Sequence, residues 1–204
     1  MTLKMVWPLR KPRMMGPNYA VSTGFLAIAG SNCYQVPVSL GVHSGWDANG
    51  PGDDFLTPIQ ATLAGKVLFA GFLSVWGNVV IIYHPDLKLT TRSAHLERID
   101  VKPSQVLTTG QQIGLMGGGP HVSSGGFLQH TGIRTLYPAH LHFDVLEQIP
   151  ALWGYWNGVA YDWNNPARSN AIALANVKRV YRAPKAYFAL GGITNIVHEG
   201  GCPL

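Results

Sequence analysis

Formal charge is scarce in this chain: 12% of its 204 residues are Asp, Glu, Lys or Arg, about half the usual globular share. Disorder is nevertheless excluded, because 47% of the residues are hydrophobic and a chain of this length can bury a real core. Long apolar runs are missing as well. Gly, Pro, Asn or a charge interrupts the Leu, Val and Ile residues every few positions, so no stretch reaches the roughly 18 apolar residues of a membrane-spanning helix. No integral membrane segment is expected. The opening segment, MTLKMVWPLRKPRMMGPNY, is basic but contains Pro8 and Pro12 and lacks an apolar stretch followed by a small-residue cleavage site. A standard secretory signal is therefore not expected. Cys33 and Cys202 are the only cysteines and form no C-x-x-C pair, which excludes a disulfide framework or a zinc knuckle and leaves a single disulfide and two free thiols equally open. Net charge is +5, but Arg10, Lys11 and Arg13 are its only local run, too thin for a nucleic-acid stripe. No nucleic-acid partner is expected, while attraction to an anionic surface is.

What is present is a succession of short apolar or alternating runs from Val21 to Val145, separated by turn residues. That is the pattern of an antiparallel β protein. Strands are predicted at Lys66–Ala70, Asn78–Tyr83, Leu89–Leu96 and Gln112–Met116, the last ending at the breaker Gly117-Gly118-Gly119-Pro120. Residues 117–126 combine glycines with Ser123 and Ser124 and read as a surface loop. One helix is predicted, over Asn165–Arg182, where Ala, Leu, Val and Lys recur at near-helical spacing and Pro166 stands in the first turn. The aromatic stretch Trp153, Tyr155, Trp156, Tyr161 and Trp163 reads as a cover packed on the β domain.

The chemistry concentrates in three places. In Ala139-His140-Leu141-His142-Phe143-Asp144-Val145, alternation puts His140, His142 and Asp144 on one face of a strand and Leu141, Phe143 and Val145 on the other. Two imidazoles then share one space, near enough for one to hold a metal and the other to reach that metal's water. In Gly41-Val42-His43-Ser44-Gly45-Trp46-Asp47 a tight loop can offer His43 and Asp47 to one ion, and one strand histidine completes a three-donor set with an open position. The third place is His95 in Ser93-Ala94-His95-Leu96, at a strand end. Each motif alone has an ordinary structural reading; the combination is far more specific. His84 reads as a hairpin residue, His198 as a surface residue, and His121 and His130 as members of a flexible insert.

With these residues in this order the chain resembles the lysostaphin-like zinc metallopeptidases, a family of peptidoglycan endopeptidases. The resemblance runs from Ser22-Thr23-Gly24-Phe25 through the His43 loop, Leu56-Thr57-Pro58-Ile59, Ala64-Gly65-Lys66-Val67, Gly77-Asn78-Val79-Val80-Ile81, Ala94-His95-Leu96 and Gly110-Gln111-Gln112-Ile113-Gly114 to His140-Leu141-His142-Phe143. It implies a mainly β fold: an antiparallel β-sheet metallopeptidase domain with an open groove, plus a short, partly helical C-terminal extension. The expected organisation is an N-terminal segment (1–17), the metallopeptidase domain (18–148) and an aromatic-rich extension packed on it (149–204). The same resemblance implies His43, Asp47 and His142 as zinc ligands and His95 and His140 as the catalytic pair, with the division of labour between those two open. The chain departs from the family in the long insert before Tyr137-Pro138-Ala139, in the acidic loop Asn49–Asp54 and in the aromatic stretch, which leaves groove shape and cross-bridge preference open.

The function so implied is zinc-dependent hydrolysis of an amide bond in the stem peptide or cross-bridge of bacterial peptidoglycan. A phage-type lysin (an antibacterial endolysin) is expected, made in the host cytoplasm and acting at the cell wall after lysis or as part of a virion; a bacterial protein exported another way is the alternative origin. A monomer is expected. The alternative function is a non-catalytic wall-binding or scaffolding protein on the same fold, or a latent enzyme with its basic N-terminal segment across the groove. A lipoyl-type carrier is disfavoured because no Lys stands in a Met-Lys-Met or Asp-Lys hairpin.

Overall fold

The structure is a computed structural model and describes residues 3–25, 27, 42–50, 55–73, 76–117, 127–128, 134–135, 139–147 and 174–198. The strands in chain order are β1 (Met14–Met15), β2 (Asn18–Thr23), β3 (Trp46–Ala48), β4 (Pro58–Gln60), β5 (Gly65–Leu73), β6 (Gly77–His84), β7 (Leu89–Ile99), β8 (Val106–Leu107), β9 (Gln112–Met116), β10 (Phe127–Leu128), β11 (Arg134–Thr135), β12 (Leu141–Leu146), β13 (Tyr181–Arg182) and β14 (Ile196–His198). Residues 174–180 form helix α1, and α2 is Pro184–Ala189. All four predicted strands are present, three of them longer than their apolar runs.

One large open sheet has the order β1-β2-β3-β12-β7-β6-β5-β8. Its pairs are antiparallel except β14 on β2; β13 extends β12, and β9 joins β7 to β4. Strands β5, β6 and β7 pair as sequence neighbours, whereas long-range pairing inserts the histidine strand β12 centrally, between β3 with Asp47 and β7 with His95. The main core lies on one face of this sheet and includes Trp46, Leu96, Leu141, Phe143 and Val145. Two smaller apolar clusters, Trp76-Val79-Ala94 and Val42-Leu146-Val177-Val180-Tyr181, flank the other face.

The N-terminal segment joins the main core instead of crossing the histidine face. Met5, Trp7 and Leu9 are buried. The backbone N–H of Val6 donates to the Thr62 carbonyl (2.9 Å) and that of Gln60 to the Pro8 carbonyl (2.8 Å), which lays the segment along β4. Trp7 stacks on Tyr19 with ring centroids 4.5 Å apart and also meets Trp46 and Phe188.

The C-terminal region differs from its expectation in three details. Helix α1 stops at residue 180, because Tyr181 and Arg182 pair with Leu146 and Val145 as a strand. A second short helix, α2, follows with Pro184 in its first turn, and its Tyr187 and Phe188 enter the main core. His198, read as a surface residue, is 8% exposed on β14, which pairs with β2. His84 does end a hairpin strand, but it is fully buried, bonded to Ala64 and Thr91. Both cysteines, His121, His130, the aromatic stretch 153–163, residues 51–54 and most of the 117–126 loop lie outside the described residues.

Candidate metal centre and active site

Strand alternation on β12 carries His142 and Asp144 to the face opposite Phe143, and β3 does the same for Asp47 opposite Trp46. The register pairs His142 with Asp47 directly. Between His43 and Asp47 the loop presses against β12 at Gly45, where a Cβ atom would stand 2.3 Å from the Phe143 carbonyl oxygen. Only glycine permits that approach.

Three donor atoms converge as a result. His43 Nε2 lies 3.1 Å from Asp47 Oδ1 and 3.0 Å from His142 Nδ1, and His142 Nδ1 lies 3.2 Å from the same carboxylate oxygen. Each imidazole is oriented from behind. His43 Nδ1–H donates to the Gly24 carbonyl at 2.9 Å, and His142 Nε2–H donates to Asp144 Oδ2 at 3.1 Å. Both inward nitrogens therefore present lone pairs to a carboxylate, an arrangement that repels itself unless a cation stands between. The spacing fits one: donors at tetrahedral angles with bonds of about 2.0–2.1 Å sit roughly 3.3 Å apart. Two nitrogens and one oxygen, all buried, suit a divalent ion with a fourth position open.

Beside this cluster stand the other two histidines. The ring of His95 is 4.9 Å from that of His140 and 5.8 Å from that of His142. His140 Nε2 is 3.7 Å from Asp47 Oδ1, and its side chain is 16% exposed against 3% for His142, so the cluster opens on the His140 side. His95 has a left-handed backbone, φ 63°, uncommon for a residue with a Cβ. Its backbone N–H donates to the Trp76 carbonyl (3.0 Å), its Nδ1–H donates to the same oxygen (3.1 Å), and its own carbonyl accepts from Gly117 N–H (2.8 Å).

Charge follows this geometry. When no ion is bound, protons on the imidazoles relieve that repulsion: burial pushes Asp47 upward, but the charges of His43 and His140 and hydrogen bonds from His142 and His43 outweigh it and hold the carboxyl well below its usual range. Burial, then His140 and His142, drive His95 well below the ordinary imidazole value, so it is neutral near pH 7. For His142 burial acts downward, yet Asp144 and Asp47 prevail and raise it.

All five residues singled out in the sequence, His43, Asp47, His95, His140 and His142, thus meet on one face. The surroundings of Asp144 behind His142 were not foreseen: Ser44 and Arg92 bond its carboxylate, and Trp76 and Tyr181 hold Arg92. Alternation had placed Asp144 on the histidine face. Arg92 carried no signal beyond lying in a strand, and Tyr181 was assigned to a helix.

A three-donor cluster with further imidazoles at its open side, on an antiparallel sheet, is the pattern of metal-dependent hydrolases as a class. The comparisons narrow it. Residues 41–152 match the model of Peptidase family M23, more than half of the chain, and the chain belongs to that family. Over 99 residues, 47% of this chain, it is 37% identical to ShyB, a peptidoglycan DD-endopeptidase of Vibrio cholerae, and it spans 20% of that protein's length. Among solved structures it is similar to LytU (22% identity, TM-score 0.50, covering 83% of each chain). It is also similar to lysostaphin (20% identity, TM-score 0.50, covering 84% of this chain and 51% of that one). These two likenesses are of fold.

Proposed function

We propose that this chain is a zinc-dependent endopeptidase that hydrolyses an amide bond in the stem peptide or cross-bridge of bacterial peptidoglycan. The observation that carries this reading is the convergence of His43 Nε2, Asp47 Oδ1 and His142 Nδ1 within 3.2 Å of one another. Membership of Peptidase family M23 and the likeness to ShyB support peptidoglycan as the substrate. His43, Asp47 and His142 would hold the ion, which supplies Lewis acidity to the scissile carbonyl and to water. The residues around it handle protons. His95 donates from Nδ1 to the Trp76 carbonyl, so its acceptor nitrogen is Nε2 and it suits the base that takes a proton from the attacking water and returns it to the leaving amine. His140, on the open side, is placed to donate a hydrogen bond to the carbonyl oxygen as charge builds there.

A phage-type lysin is the setting we favour, made in a host cytoplasm and acting at the wall after lysis or from a virion. The net charge of +5 supports adsorption to anionic wall polymers, an attraction that should weaken as salt rises. The test combines elemental analysis of the purified chain with mass spectrometry of muropeptides after incubation with walls of both cross-link types. One zinc per chain with new peptide termini is expected, and the termini identify the bond. Zinc without cleavage would favour the wall-binding or latent alternative, and neither would overturn the assignment. His142→Ala should lose metal and turnover together, whereas His95→Ala and His140→Ala should keep metal and lose about 10²- to 10⁴-fold in rate.

A further inference from the structure

Behind His142 lies a polar chain that the hydrolytic chemistry does not itself require. Arg92 and Asp144 are both 0% exposed and are register partners on β7 and β12. Asp144 Oδ2 accepts three hydrogen bonds: from His142 Nε2–H at 3.1 Å, from the Ser44 hydroxyl at 3.2 Å and from Arg92 Nη2 at 2.5 Å. Arg92 is held in turn. Its guanidinium carbon sits 3.7 Å from the centre of the Trp76 ring, and Nη2 also donates to the Tyr181 hydroxyl at 3.2 Å. A buried ion pair is poor value as a fold stabiliser, since apolar residues of the same volume commonly serve as well or better. Its position, one hydrogen bond behind a metal-donor imidazole, gives it a different use.

We propose that Tyr181, Arg92 and Asp144 form a buried relay that keeps His142 in the tautomer and orientation that turns Nδ1 toward the metal. The segment beyond the family match would then help to set metal affinity. The proposal rests on the metal-centre reading above in that the ion is the beneficiary. An imidazole offers Nδ1 as a donor atom only when its proton is on Nε2, and a carboxylate facing Nε2 selects that form and raises the basicity of the opposite nitrogen. That carboxylate must itself be held. Arg92 fixes its rotamer and balances its charge, and Tyr181, brought in by the pairing of Leu146 with Tyr181, fixes Arg92. The family match ends at residue 152, and Tyr181 lies beyond it. These three are positioning residues, remote from the open side of the cluster.

The test uses the full chain and the variants Asp144→Asn and Tyr181→Phe. Tyr187→Phe is the control, because its buried hydroxyl bonds Thr62 at 2.7 Å within the main core on the other face of the sheet. Zinc affinity is measured by competition with a chromogenic chelator, and the His142 tautomer by ¹⁵N NMR of the metal-free protein at an alkaline pH where the ring is neutral. Asp144→Asn should weaken zinc binding about 10- to 100-fold and Tyr181→Phe about threefold, each with loss of the Nε2–H tautomer, while Tyr187→Phe loses stability but neither property. The relay is overturned if Asp144→Asn and Tyr181→Phe bind zinc within about twofold of the parent and keep its tautomer, or if Tyr187→Phe weakens zinc equally. A parent chain that binds no zinc, with the tautomer still lost in the two variants, would sink the metal reading and leave the relay standing.

Discussion

The narrowest point of the metal loop is Gly45, and replacing it with alanine tests how the two halves of the centre are held together. An alanine Cβ there would lie 2.3 Å from the Phe143 carbonyl oxygen, 2.7 Å from Asp144 Cβ and 2.8 Å from the Phe143 carbonyl carbon. Two of these are backbone atoms of the central strand β12, so the loop must yield. Restoring an ordinary contact of 3.4 Å moves it by about 1 Å, and His43 and Asp47 travel with it while His142 stays on β12. Metal sites tolerate ligand displacements of about 0.2 Å, so this opening exceeds the tolerance several times over. Gly45→Ala should therefore bind zinc far more weakly, turn over about 10²-fold more slowly, and lose about 1–3 kcal/mol of stability from overpacking. Gly65→Ala supplies the comparison. Its Cβ would meet the Tyr83 carbonyl oxygen at 2.5 Å, but on β5, three strands from β12. Chelator competition and thermal unfolding on both variants separate the effects. Zinc affinity within about twofold of the parent in Gly45→Ala, or an equal loss in Gly65→Ala, would refute the reasoning.

Two further outcomes follow from the core. Burial lowers the pKa of His84 from its ordinary value of 6.5, with only partial offset from the Ala64 carbonyl and Asp86. Above pH 6.5 both folded and unfolded chains hold this imidazole neutral; below it the unfolded chain gains a proton that the folded one refuses. Stability should fall as pH drops from 6.5 toward the folded value. Urea unfolding at about pH 8 and pH 5.5 should show a smaller acid loss in His84→Gln than in the parent, and identical losses would exclude His84 as a source. Phe188, fully buried against Trp7, Trp46, Phe143 and Tyr187, should cost about 3–5 kcal/mol when replaced by alanine. A loss below about 1 kcal/mol by urea unfolding would show that α2 stands outside the cooperative core.

The histidine strand was legible because strand geometry is local. With a side-chain period of two, Ala139–Val145 needs no partner to place His140, His142 and Asp144 on one face. The strands at Asn78, Leu89 and Gln112 were legible for the same reason, and the His43–Asp47 loop from its glycine. What the sequence could not determine depends on contacts between distant segments. Alternation counted from Leu89, a core residue, would send His95 to the core face as well. The structure inserts one extra residue in β7 against β6, between the pairs Ser93–Val80 and Leu96–Asn78. That bulge returns His95 to the metal face and Leu96 to the core. It is held by the carbonyl of Trp76 and the N–H of Gly117, each about twenty residues away, so no local window contains the cause. Tyr181 is the same case at longer range. Its own segment has helical spacing, but pairing with β12 draws it into a strand and aims its hydroxyl at Arg92. Residue types and short-range periodicity thus determined which groups could do chemistry, while hydrogen bonds and packing between distant strands decided which of them meet.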